Sequence, residues 1–253
     1  MTTSTPVRSI PPIEREEAGR LARMEYQRVA EQLDSLQEGD WSRSTDCPLW
    51  DVRAVAGHTV GMMGDFGSLP SLVRRMRAAT AAAKQSGSAF IDVMTAMQVD
   101  DLAPLDPEQL VAEAAARGER AARWRSRPHL LLRRMPMKEE VDGRPETWRM
   151  GYLLDIILTR DPWMHRVDVA RATGRALVLT PEHDGRIVAD VVAEWSRRHG
   201  RPFRLTLTGP AGGEYVDGDG AAEDHVTLDA VEFCRVLSGR ATGAGLLTQA
   251  VPF

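Results

Sequence analysis

The sequence predicts an α+β fold, a helical N-terminal part followed by a small C-terminal part that mixes strand and helix. Three observations predict it. Up to Gly174, segment after segment places apolar residues at helical spacing. Beyond it, Phe203-Arg204-Leu205-Thr206-Leu207-Thr208 alternates apolar and polar residues, the two-residue period of a strand with one buried face. The stretch Gly209 to Gly220 is rich in glycine, which suits turns between short strands.

Met1 to Pro12 is polar, carries Ser, Thr and three prolines, and lacks the apolar core of a signal peptide, so residues 1–13 read as a disordered lead-in. From Ile13 to Gln37, Leu21, Val29, Leu33 and Leu36 recur on one face of an amphipathic helix. Trp41 to Pro48 is a polar connection, after which Val52, Val55, Thr59 and Met62 mark a second helix from about Leu49 to beyond Met63. Residues 68–84 carry Leu69, Leu72, Val73 and Met76. Residues 85–105 fit no single pattern. Asp106-Pro107-Glu108 supplies an N-cap, a proline at the first helical position and a first-turn acid, opening a helix to about Arg127. The apolar run Trp148 to Leu158 meets Asp161-Pro162 and continues helically through Met164, Val167 and Val169 to Gly174. Pro162 cannot donate to the Leu158 carbonyl, so the helix must kink or restart there. Farther on, Asp184 to His199 reads as a helix and Leu228 to Leu237 as a compact one before the Ser238-Gly239-Arg240 turn. The pattern places the domain boundary near 175–184, with a helical domain over 14–178 and a small α+β domain over 179–253.

Composition narrows the function classes. With 253 residues, 43% apolar and 27% charged, the chain has ordinary globular proportions and no apolar run long enough to span a membrane. A net charge of −4 leaves no electrostatic footprint for nucleic acid. Cys47 and Cys234 lie far apart with no paired spacing, which argues against a disulfide framework and a thiolate zinc site and favours a reducing, cytoplasmic setting. No heptad seam defines an oligomeric state.

The residues that can carry chemistry are few. Asp161 and His165, four apart, project from one face of a continuous helix and can grip one metal ion; His58, on a different helix, can complete a three-ligand site. Imidazole and carboxylate suit zinc, with nickel and iron(II) also compatible. Three protein ligands leave a fourth position exchangeable, the arrangement of a catalytic site. Each residue has a plainer reading. A histidine on a mixed helix face is commonly a hydrogen-bonded core or surface residue. Asp161, followed by Pro162, makes a good N-cap, and in that case Asp65, seven residues from His58, is the next candidate ligand. Asp168 suits a partner for His165 but reads more simply as an exposed helix charge. His129, His183, His199 and His225 have no partner at ligand spacing, and the tryptophans read as core. The Arg240 guanidinium after a Ser-Gly turn fits a bidentate carboxylate holder and a helix-end ion pair equally well.

Two segments, Trp41 to His58 (WSRSTDCPLWDVRAVAGH) and Arg160 to Gly174 (RDPWMHRVDVARATG), resemble the mycothiol-dependent maleylpyruvate isomerase family, as does the C-terminal LDAVEFCRVLSGRATGAGLLTQAVPF from Leu228 to Phe253. The resemblance implies a DinB-like four-helix bundle at the N-terminus and a small module similar to sterol-carrier-protein-like α/β domains at the C-terminus. It also implies a divalent metal, usually zinc, held at the positions that match His58, Asp161 and His165. The family commonly has Glu where this chain has Asp161.

That resemblance further implies mycothiol as the thiol cofactor or co-substrate and an electrophilic small molecule as the partner, with Arg240 as the candidate residue for holding an anionic substrate or the thiol. Conjugate addition of a thiolate to an activated alkene, rotation and elimination convert a cis double bond to trans; without elimination the outcome is S-transfer. A thiol-independent metal hydrolase and a non-catalytic module that binds a small ligand or a protein are the competing expectations.

Overall fold

The computed structural model describes residues 4–127, 129–218 and 224–253. In chain order the elements are β1 (Thr5–Pro6), α1 (Arg15–Asp34), α2 (Val52–Asp65), α3 (Leu69–Ser86), α4 (Phe90–Leu102), α5 (Pro107–Arg125), α6 (Leu130–Arg134), β2 (Pro136–Val141), β3 (Arg144–Arg149), α7 (Met150–Tyr152), α8 (Leu158–Thr173), α9 (Arg186–His199), β4 (Phe203–Thr208), β5 (Gly213–Asp217), β6 (His225–Asp229) and α10 (Ala230–Leu237). Single π-helical turns precede α8, at Leu153–Ile157, and α9, at Pro181–Gly185. The chain divides into two compact units, Arg15–Leu130 with Asp161–Leu177, and Met1–Glu14 with Leu131–Arg160 and Val178–Phe253.

In the first unit the starts of α2, α3 and α5 follow from their caps. Asp51 accepts from the Ala54 N–H to open α2, and Ser68 accepts from the Ser71 N–H to open α3. Asp106 and Gln109 close a reciprocal capping box before α5, with Pro107 at the first helical position as its residue type demands. The ambiguous 85–105 stretch is largely α4. Helix α5 packs on α1 and α2, and α4 packs on α2 and α3. Glycine permits two of these approaches. A Cβ on Gly118 of α5 would stand 2.8 Å from the Tyr26 Cβ, and one on Gly61 of α2 would stand 2.7 Å from the Gln98 Cβ of α4. Tyr26, Met63, Leu110, Ala114 and Trp163 fill the core between these helices.

The most deeply buried acid on α1 is paired with a cation. Glu25 on α1, fully buried, accepts from Arg166 on α8 at 2.6 Å and 3.1 Å. Pro162 lies inside α8, and Leu158, whose carbonyl it cannot reach with a donor, has ψ at 8°, far from the helical value of about −42°. Helix α8 begins at Leu158, one turn before the proline, and Asp161 is a residue of its first turn. Gly174, with φ of 69°, follows its last residue.

The second unit holds a four-stranded sheet in the order β1-β5-β4-β6, with β4 antiparallel to β5 and parallel to β6. Phe203, Leu205 and Leu207 of β4 face inward against Trp195 of α9 and Phe233 of α10, the Trp195 ring lying 4.7 Å from Phe203 and 5.3 Å from Phe233. Two sequence expectations change. Thr5–Pro6, read as disordered lead-in, is a strand paired in parallel with β5, because the extended backbone before a proline suits a sheet edge; Met1 to Thr3 lie outside the described residues. Leu228 and Asp229, read as helical, end β6, and Asp229 caps α10 by accepting from the Val231 and Glu232 N–H groups. Residues 219–220 of the glycine-rich stretch lie outside the described residues.

The hairpin β2–β3, which the sequence reading passed over, turns at Asp142 and Gly143, with φ of 50° and 71°, as a two-residue primed turn requires. The whole is a mixed helical and sheet fold. Among the described residues no helix is long and apolar enough to cross a membrane.

Candidate metal centre

Helices α2 and α8 bring His58, Asp161 and His165 together. The Asp161 carboxylate stands between the two imidazoles, with Oδ2 3.5 Å from His58 Nε2 and Oδ1 3.3 Å from His165 Nε2. One donor atom from each of the three residues lies within 4.8 Å of the others. Both imidazoles are buried and Asp161 is 22% exposed. Asp161 is therefore not the N-cap that its proline neighbour suggested: its side chain faces the histidines from inside the helix.

Each imidazole has its far nitrogen occupied. His165 Nδ1 donates to Asp168 Oδ2 at 2.9 Å, and that same oxygen accepts from the Cys47 thiol at 3.5 Å. Asp168 is fully buried, which corrects its reading as an exposed helix charge. His58 Nδ1 donates to Gln98 Oε1 at 2.8 Å. Asp65, the alternative ligand, is instead taken up by Arg75 and Gln98: Arg75 Nε donates to it at 2.8 Å and 2.9 Å and Gln98 Nε2 at 2.8 Å. The Trp50 ring lies against both histidines, 4.9 Å from His58 and 6.0 Å from His165, so this tryptophan belongs to the site and not to the core.

The electrostatics follow from burial and neighbours. Burial alone pushes the Asp161 carboxyl up, and the His165 and His58 imidazoles outweigh it and hold the group well below the ordinary carboxylate range. Burial likewise opposes charge on His165, yet Asp161, helped by the hydrogen bonds to Asp168 and Cys47, holds it well above the ordinary imidazole value.

A divalent cation fits these donors. Asp161 Oδ2 is a buried oxygen without a hydrogen-bond partner among the described residues, the kind of orphan an ion satisfies. Tetrahedral ligand atoms bonded at about 2.1 Å lie about 3.4 Å apart, close to the nitrogen–oxygen separations here. The second nitrogens are engaged by an amide and a carboxylate, as metal-bound histidines generally require.

Arg240, the fourth residue singled out by sequence, belongs to the other unit. It is half-buried in the turn after α10, its backbone N–H donating to the Arg235 carbonyl at 2.9 Å. Gln98, Cys47 and Trp50 were missed as site residues. For Cys47 and Trp50 the signal was their position inside the family-like segment before His58; Gln98 sits in the stretch without a clear period and gave none.

A family model described as the mycothiol maleylpyruvate isomerase N-terminal domain matches residues 22–170. Among solved structures, a mycothiol-dependent maleylpyruvate isomerase is similar at 16% identity and a TM-score of 0.55, over 95% of this chain and 94% of that one. A histidine-to-alanine mutant of a mycothiol-dependent maleylpyruvate isomerase is similar at 16% identity and a TM-score of 0.52, over 94% and 93% of the two chains. No curated protein matches. At this identity the structural likeness is one of fold.

Proposed function

The chain belongs to the mycothiol maleylpyruvate isomerase N-terminal domain family, and from that premise we propose that it is a metal-dependent enzyme using a low-molecular-weight thiol, mycothiol, for cis–trans isomerisation of an electrophilic small molecule or S-transfer to it. The observation that carries this reading is the convergence of His58 Nε2, His165 Nε2 and the Asp161 carboxylate, one of whose oxygens is orphaned. A divalent cation held there, zinc by ligand type, favours a coordinated thiol in its thiolate form and so supplies a nucleophile at neutral pH.

The chain's own residues do the rest. Asp161 brings the single negative charge that draws a cation into a largely buried place, and Asp168 and Gln98 hold the imidazoles with Nε2 toward it. Trp50 covers the two rings and limits access of water from its side. Arg240 is proposed as the anion-holding residue of the other unit; Arg240→Ala raises KM for an anionic substrate, or the assignment fails.

The packing of α5 on α1 and α2 supports a DinB-like four-helix bundle completed by the 161–173 part of α8; of the helical domain expected over 14–178, Leu131–Arg160 lies with the other unit. The β4–β6 strands and α10 support a sterol-carrier-protein-like module over 179–253. Cys47 and Cys234, each a thiol and not half of a disulfide, support a cytoplasmic location.

Elemental analysis of the purified protein beside His58→Ala and Asp161→Ala tests the metal: about one zinc per chain, lost in both variants, is expected. Absence of any divalent metal from wild type supplied with zinc, or full retention in both variants, overturns it. Turnover of activated alkenes only with added thiol supports the thiol reading, and equal turnover without thiol turns it toward hydrolysis.

A further inference from the structure

We infer that Gln98 is a positioning residue for His58, fixing its tautomer through a relay that runs from Arg75 through Asp65, so that Nε2 carries the lone pair facing Asp161. The inference rests on the metal reading for its use but not for its test.

The argument is one of donors and acceptors. Asp65 is buried, and Arg75 Nε donates to both of its oxygens, at 2.8 Å and 2.9 Å; a second nitrogen of Arg75 donates to Asp101 at 2.5 Å. Asp65 held against a guanidinium is a carboxylate, which only accepts hydrogen bonds. The Gln98 group 2.8 Å from it is therefore the amide nitrogen. That leaves the amide oxygen, an acceptor only, 2.8 Å from His58 Nδ1. His58 Nδ1 must then carry the proton, and neutral His58 has its lone pair on Nε2, the atom 3.5 Å from Asp161 Oδ2. A flipped amide would set its oxygen against the Asp65 carboxylate, a repulsion, and its N–H₂ would suit His58 only in the opposite tautomer.

The fold keeps the relay in register. Gln98 is 1% exposed on α4, and the missing side chain of Gly61 lets its Cβ come within the reach of α2. Asp65 and His58 lie on that one helix, seven residues apart, so a single glutamine spans them. The two histidines are thus backed differently, His165 by the carboxylate of Asp168 and His58 by a neutral amide with a carboxylate one bond farther out.

The test reads the tautomer directly, in metal-free protein, by long-range proton–nitrogen correlation spectra of the imidazoles at alkaline pH. Wild type is expected to show His58 with Nδ1 protonated and Nε2 bare. Asp65→Ala, which touches neither imidazole, frees the Gln98 amide to turn and brings in the opposite tautomer. A wild-type His58 protonated on Nε2, or a tautomer unchanged in both Asp65→Ala and Gln98→Met, overturns the inference whether or not the protein binds metal. On the metal side, competition titration is expected to show zinc affinity reduced about 10- to 100-fold in the near-isosteric Gln98→Met and largely restored in Gln98→Glu, which keeps an acceptor. Equal zinc affinity in wild type and Gln98→Met, both folded by circular dichroism, also overturns it. A wild type that binds no zinc overturns the metal reading alone, and the spectra still decide the role of Gln98.

Discussion

At the scale of single residues, the Asp161–His165 pair ties stability to pH in a window that can be worked out from its signs. His165 has a raised pKa, so its contribution is complete below the ordinary imidazole value of about 6.5 and is lost as pH rises through the folded value. Asp161 has a depressed pKa, so its contribution is complete above the ordinary carboxylate value of about 3.9 and is lost as pH falls through the folded value. Metal-free protein is expected to draw full benefit from the pair between about pH 4 and 6.5. Urea midpoints measured across pH check this: Asp161→Asn should lack the decline on the alkaline side that wild type shows. The cysteines give a second residue-level prediction. Burial pushes the Cys234 thiol far up and leaves it inert, while Cys47 is only half-buried. An aromatic disulfide reagent should titrate one thiol in the native protein and both after denaturation; two reactive native thiols would contradict the packing around Cys234. The three candidate ligands were legible because a four-residue spacing puts Asp161 and His165 on one helix face. Their supports were less so: Cys47 had a signal only through the family-like segment before His58, no local pattern tells that Asp168, offered by spacing as a partner for His165, is buried, and Gln98 gave no signal at all.

At the scale of elements, helices predicted from apolar periodicity and capping chemistry appear where both signals coincide. Asp106-Pro107 and Gly174 mark ends that the structure has within a residue or two. The hairpin Pro136–Arg149 escaped because charged residues fall on both faces of its strands and blur the apolar–polar alternation, although Asp142-Gly143 carried the turn signature. The long apolar run before Asp161 read as one helix, whereas the chain passes from β3 through a π turn before α8 starts. Close helix approach, unlike periodicity, depends on which glycines face a neighbour. Gly61→Ala would bring a methyl to 2.7 Å from the Gln98 side chain and 3.0 Å from its backbone, so α2 and α4 must part. A loss of about 1–3 kcal/mol in unfolding free energy is expected, measured by urea denaturation; an unchanged midpoint would mean that the two helices yield more readily than their packing implies.

At the scale of the molecule, the chain enters and leaves each unit more than once, since Leu131–Arg160 belongs with Val178–Phe253. Sequence periodicity could not reveal this, because a helical segment reads alike whichever core it joins. Arg160 gathers three parts of its unit, donating to Asp190 at 2.6 Å, to Glu194 at 2.8 Å and to the Pro252 carbonyl at 3.1 Å while 2% exposed. Arg160→Ala would take from buried Asp190 the guanidinium that pairs with it and leave Glu194 to Arg198 and Tyr152, and a loss of about 3–5 kcal/mol is expected in chemical denaturation; a loss below about 1 kcal/mol, typical of an exposed pair, would show that water reaches the cluster. The strand Thr5–Pro6 pairs with Tyr215 and Val216, some 210 positions later. On a ribosome adding about 5–20 residues per second, its partner emerges roughly 10–40 s after it does. The two residues of β1 thus wait, unpaired, until β5 is made before they can finish the edge of the sheet.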